Sequence, residues 1–233
     1  MIKIRKSKDR GLAEHGWLKS HHTFSFAGYY DPAYSGYGVL RVINEDTIDG
    51  DSGFPTHPHQ NMEILSYVIE GALEHQDSMG TKSIILPGEI QRMSAGTGVQ
   101  HSEQNHLKDK KTHFLQIWIT PEKYALQPSY AQKSFQTEFS TGQLILLASK
   151  NGDNNSITIH QDTNIYACKG NNKSEINFKI NANRHIWIQV VHGPVHIEKK
   201  HLESGDGAAI EKLDSLHLSW EKNSEFLLFD LPS

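Results

Sequence analysis

One cysteine, Cys168, is present in 233 residues, so no internal disulfide can form and nothing points to an oxidising compartment. Neither sign of charge dominates. The 23 basic and 27 acidic side chains leave a formal net charge of -4, with no basic run or stripe, so direct nucleic-acid binding is not expected. No apolar run approaches a membrane span, and the charged start Met1-Ile-Lys-Ile-Arg-Lys-Ser-Lys lacks an apolar stretch of signal length. A cytoplasmic protein without membrane contact is the expectation. Hydrophobic residues at 36% and charged residues at 21% fit an ordinary folded chain, long enough for one large or two small domains.

Long helical periods are rare, and short strands with turn signals every few residues take their place. Residues 2–5, 38–44, 63–69, 83–86, 89–93 and 113–119 read as strands. Residues 72–76 are the expected hairpin partner of 63–69, and 9–17 read as a short helical turn interrupted by Gly11 and Gly16. The stretch 121–142, with Pro121 and Pro128, reads as a linker. A second series of strands covers 143–148, 157–160, 186–191, 195–198, 216–220 and 226–231. This is an all-β pattern, barrel or sandwich. Ile85-Leu-Pro-Gly-Glu-Ile90 and Leu202-Glu-Ser-Gly-Asp-Gly207 share a local pattern that hints at a duplicated unit.

Two short pieces carry the chemistry: Thr56-His57-Pro58-His59 and Val99-Gln100-His101-Ser102-Glu103. Residues i and i+2 of an extended chain share a face. His57 and His59 therefore look one way together, as do His101 and Glu103. Side by side, they would bring three imidazoles and a carboxylate onto a divalent transition metal and leave coordination positions open. An isolated His-x-His is usually a chance surface pair. A second same-face pair following the corner Gly96-Thr97-Gly98 favours metal binding. Glu63 has the parity of His57 and His59 and is a further possible ligand. His75 reads as a strand histidine bonded to a neighbour, and His22 as a rim or structural residue. His106 and His113 have no partner spacing. His160, His185, His192, His196, His201 and His217 form no His-x-His pair and read as solvated or structural, and Cys168 as an inert buried thiol.

His57-Pro-His59, Glu63 and Gly71, then Gly88, Ser94-Ala-Gly96, His101 and Asn105, resemble the two motifs of the cupins. Ser94 departs from the usual proline, and two extra residues precede His101. The longer runs Thr56–Gly71, Glu74-His-Gln-Asp-Ser-Met-Gly80 and Met93–Glu103 resemble the pirins, most closely the bacterial pirin-like quercetin 2,3-dioxygenases. The likeness extends to Gly16-Trp-Leu18, His22-Thr-Phe-Ser-Phe26, Tyr30-Asp-Pro32 and Leu228-Phe-Asp-Leu-Pro232. It implies two cupin barrels in tandem, residues 1–130 with one metal and 131–233 without. By resemblance the ligands are His57, His59, His101 and Glu103, where the general cupin pattern would use Glu63 instead of Glu103. The ion is expected to be Fe(II), with other divalent metals possible. The implied reaction opens the heterocyclic ring of a flavonol with O2 and releases CO, with Glu103 accepting the substrate proton. The competing implication is a metal- or redox-sensing partner of a transcription regulator, without turnover.

Overall fold

A computed structural model describes all 233 residues. The chain is all-β, as its alternation implies, with one short α-helical turn at Gln136–Phe139 and three 3-10 turns. Contacts divide it into two compact units. One comprises residues 11–135 together with 159–161; the other comprises 1–10, 136–158 and 162–233.

The first unit holds two antiparallel sheets. The larger runs in the order Ser129–Ser134, Glu89–Ser94, Glu63–Glu70, Thr112–Ile119, Leu40–Ile48, Leu18–His22, Gly11–Glu14. The smaller runs Gly53–His59, Val99–Asn105, Leu73–Asp77, Lys82–Ile85. Ile48, Val68 and Phe114 of the larger sheet pack on Leu73 and Ile85 of the smaller one. That apolar contact holds the sheets face to face.

The second unit repeats the scheme. Its larger sheet runs Ile2–Arg5, Gly207–Ile210, Arg184–His192, Glu225–Pro232, Asn164–Lys169, Leu144–Ser149, Ile157–Thr158, with only the last pair parallel. Its smaller sheet runs Ser174–Lys179, Ser215–Trp220, Val195–Ile197, Lys200–Leu202. Gly88 and Gly205, from the repeated sequence pattern, both adopt positive φ (87° and 79°) just before strands that begin at Glu89 and Gly207.

Three local readings change. Residues 11–14 form a strand against Leu18–His22 and no helical turn; only Ser7–Asp9 coils, as a 3-10 turn. Gly11 lets the Tyr29 ring pack against this strand, because a Cβ would lie 2.3 Å from that ring. Leu73–Asp77 is not the hairpin partner of Glu63–Glu70: it pairs with Val99–Asn105 and Lys82–Ile85, so the Glu70-Gly71 turn carries the chain from one sheet to the other. Within the expected linker, Ser129–Ser134 is a full edge strand on Glu89–Ser94. Proline at 121 and 128 punctuates the chain without preventing pairing between them and the helix.

Candidate metal centre

Gly53–His59 and Val99–Asn105 are antiparallel neighbours with His101 opposite His57. The pairing then slips: Glu103 faces Phe54, so three residues on one strand match two on the other. Such a bulge re-aims side chains. Here it brings the Pro55 carbonyl to the His57 ring, whose Nδ1–H donates to it at 2.8 Å. On the far side, the chain enters Val99–Asn105 through Gly96, where φ is +47° and a Cβ would lie 2.0 Å from the Leu126 carbonyl oxygen. Only glycine fits that corner.

Three imidazoles converge as a result. The ring centroids of His57, His59 and His101 form a near-equilateral triangle of 4.5, 4.8 and 4.8 Å. One ligand nitrogen from each lies within 4.8 Å of the others, and His57 Nε2 and His101 Nε2 are 3.0 Å apart. Burial, with the neighbouring His57 and His75 rings, lowers the pKa of His101 to about 3; burial, with His101 and His57, lowers that of His59 to about 4. Both are neutral at physiological pH, the form that binds metal. Because the Pro55 carbonyl can only accept, the tautomer of His57 with its proton on Nδ1 presents a bare Nε2. Clustered bare nitrogens repel one another unless a cation lies among them, and nitrogens sharing an ion at about 2.0–2.1 Å sit roughly 3 Å apart. The donor set fits a divalent transition metal.

Glu103 borders this trio. It is buried, two residues from His101 on the same face, and lines a cavity together with His57 and His59. Ser66 Oγ donates to one carboxylate oxygen at 3.1 Å and Gln116 Nε2 to the other at 2.6 Å. Glu63, the other possible ligand, is committed elsewhere. Its Oε2 accepts from Ser94 Oγ (2.9 Å) and from the His160 backbone N–H (3.2 Å), which ties residues 159–161 to the first unit.

The cavity measures about 740 Å³, in the range of small-molecule sites. Trp17, Phe26, Phe54 and Trp118 make its walls apolar. A polar patch comes from Ser20, His22, Asn44 and Asp46. His22 Nδ1 donates to Asn44 Oδ1 at 2.8 Å. Asp46 Oδ1 has no partner, and burial pushes the Asp46 carboxyl up to about 7, against a hydrogen bond from Ser20 and with Glu103 adding to the rise. Sequence reasoning missed Asp46, Asn44, Gln116 and Ser66. Only strand parity, Asn44 with Asp46, signalled that they share a face.

The remaining histidines lie outside the trio. His106 meets Glu74 and His113 meets Glu45. His196 and His201 face each other at 3.1 Å on an exposed hairpin, and His217 lies 3.5 Å from Glu175. Cys168 is buried, its thiol pushed up to about 12 by burial and by Glu225.

Residues 4–119 match the family model described as Pirin, and 146–231 match the one described as Quercetinase C-terminal cupin domain. A quercetin 2,3-dioxygenase of Escherichia coli (strain K12) is 47% identical over 232 residues, covering 100% of this chain and 99% of that protein. The chain belongs to the pirin family. A pirin-like protein of Caulobacter vibrioides is 36% identical over 228 residues, with 97% of this chain and 98% of that protein covered. Among solved structures, the bacterial pirin YhhW from Escherichia coli in complex with nickel(II) superposes with a TM-score of 0.95 at 45% identity, covering 100% of this chain and 99% of that one. The two β units are thus cupin-type domains in tandem, and the histidine trio of this pirin lies in the first.

Proposed function

We propose that this pirin is a metal-dependent dioxygenase that opens the heterocyclic ring of a flavonol such as quercetin with O2 and releases CO. The observation that carries the reading is the convergence of His57, His59 and His101 beside Glu103 at an apolar cavity. The Escherichia coli relative bears that activity in its name.

His57, His59, His101 and Glu103 would hold one ion, Fe(II) by preference, which when bound would favour loss of the flavonol 3-hydroxyl proton and open a route for electron density to O2. A carboxylate with imidazoles accepts several divalent metals. Glu103 takes the hydroxyl proton. Ser66 and Gln116 hold its carboxylate in place, so the acceptor is oriented before substrate arrives. Trp17, Phe26, Phe54 and Trp118 give a flat polycyclic substrate apolar walls and keep water from the reacting centre. Flavonol and O2 are consumed mole for mole, with the two oxygen atoms entering the opened product and one ring carbon leaving as CO.

The test strips the protein with a chelator, reloads it with single metals and follows quercetin absorbance, O2 uptake and CO together. Loaded protein is expected to consume O2 and flavonol in equal amounts, and stripped protein neither. A fully loaded protein that leaves quercetin intact under O2 contradicts the reading.

A further inference from the structure

Val99–Asn105 has a second neighbour, Leu73–Asp77, on the side away from Gly53–His59. In register, Glu103 faces His75 and His101 faces Asp77. The side chains of His75 and Asp77 are wholly buried. Asp77 Oδ2 accepts from His75 Nε2 at 2.9 Å. Asp77 Oδ1 accepts from the backbone N–H groups of Met79 (2.9 Å) and Thr81 (3.0 Å). Burial pushes the Asp77 carboxyl up, but the bonds from His75 and Thr81 outweigh it and hold the group below the usual carboxylate range. An ionised carboxylate only accepts, so His75 carries its proton on Nε2. His75 Nδ1 then faces His101 Nδ1 at 3.4 Å, and the Tyr130 ring packs on His75 at 4.9 Å and 32°.

We propose that His75 and Asp77 are positioning residues of the metal centre, a buried relay running from Asp77 through His75 to His101 that keeps His101 Nε2 bare for the ion. The proposal rests on the metal reading above. With its own proton directed to Asp77, His75 Nδ1 accepts from His101 Nδ1–H. The proton of His101 is thereby held on the side away from His57. His57 solves the same problem with the Pro55 carbonyl; His101, on a strand flanked on both sides, uses a second histidine. Outer partners of this kind orient a ligating ring and raise its basicity.

Asp77→Asn separates this role from packing. The new amide oxygen still accepts from Met79 and Thr81, and the volume is unchanged. Its N–H₂ group now meets His75 Nε2, which must accept. His75 then carries its proton on Nδ1 and donates to His101 Nδ1, which drives the His101 proton onto Nε2, where the ion belongs. His75→Phe removes the relay, whereas His75→Gln restores an acceptor oxygen for His101.

Nickel(II) affinity, read by competition with a chromophoric chelator, and imidazole ¹⁵N shifts of the metal-free protein form the test. Asp77→Asn is expected to weaken nickel(II) binding about 10- to 100-fold, to switch the His101 tautomer, and to leave the unfolding midpoint near that of the parent. His75→Phe is expected to weaken binding similarly and His75→Gln to recover part of the loss. Parent affinity and parent tautomer in Asp77→Asn overturn the relay, as does a His75→Gln variant no better than His75→Phe. A parent protein that takes up no nickel(II) overturns the metal reading itself, a result distinct from the first two.

Discussion

The two units of this pirin share a pair of sheets and fill them with opposite chemistry. In the smaller sheet of the first, Val99–Asn105 lies between Gly53–His59 and Leu73–Asp77; in the second, Ser215–Trp220 lies between Ser174–Lys179 and Val195–Ile197. The central strand of the first buries His101 and Glu103, and that of the second buries Leu216, Leu218 and Trp220. Across the pairing, His57 meets His101 where Ile176 meets Leu218. On the other flank, His75 and Asp77 stand against Val195 and Ile197. Alternation alone therefore builds the sheet, and the identity of the inward residues decides whether it encloses chemistry or a core. The polar interior needs a hydrogen-bond partner for each group, which Pro55, Ser66, Asp77 and Gln116 provide; the apolar interior needs only volume.

The largest expected effect separates the two interiors by function. Glu103→Gln, which keeps shape but removes the proton acceptor, is expected to lower quercetin turnover by about 10²- to 10⁴-fold, measured with metal content matched to the parent. His101→Ala is expected to lose metal and turnover together. The reciprocal change in the second unit, Leu218→Ala, is expected to cost about 2–5 kcal/mol of stability in denaturant titration while metal content per folded chain stays that of the parent. Equal loss of metal from Leu218→Ala breaks the contrast.

Metal loading gives the next effect. An ion present at 100 times its Kd stabilises what it binds by about 2.7 kcal/mol. Hydrogen exchange is expected to slow in Gly53–His59 and Val99–Asn105 on loading and to stay unchanged in Ser174–Lys179 and Ser215–Trp220. Uniform protection of both sheets contradicts the confinement of the ion to the first.

A third test concerns Asp46 at the cavity wall. Its folded pKa, raised from 3.8 to about 7, means the folded state binds a proton that the unfolded chain has already lost. The contribution of Asp46 to stability is therefore fully present below about 4 and is lost as pH rises through about 7. The groups acting on it are Ser20, Glu103, Glu45 and His113. Asp46→Asn is expected to raise the unfolding midpoint at pH 8 and leave it unchanged at pH 4. A gain at pH 4 equal to that at pH 8 removes burial of the charged carboxylate as the cause.

Much of this was legible in the sequence because strand parity is a local property. His57 with His59, and His101 with Glu103, had to share faces wherever their strands lay, and the structure brings the three imidazoles together with Glu103 beside them. Glu63 had the right parity too, and nothing local says that its strand belongs to the other sheet, bonded to Ser94 and His160. His75 was read as a satisfied strand histidine for the same reason. Its bond to Asp77 is a local i,i+2 contact, but its meeting with His101 depends on which strand lies alongside. Long-range pairing also carries Ile2–Arg5 onto Gly207–Ile210, a partner some two hundred residues away that no periodicity announces.

Anomalous diffraction from crystals of nickel(II)- or iron(II)-loaded protein, collected at the metal edge, tests most directly whether one ion sits where the two histidine pairs meet. One strong peak per chain is expected, within bonding distance of nitrogens of His57, His59 and His101 and beside the carboxylate of Glu103. A peak at the exposed His196–His201 pair instead, or none among the three imidazoles of His57, His59 and His101 in fully loaded protein, contradicts it.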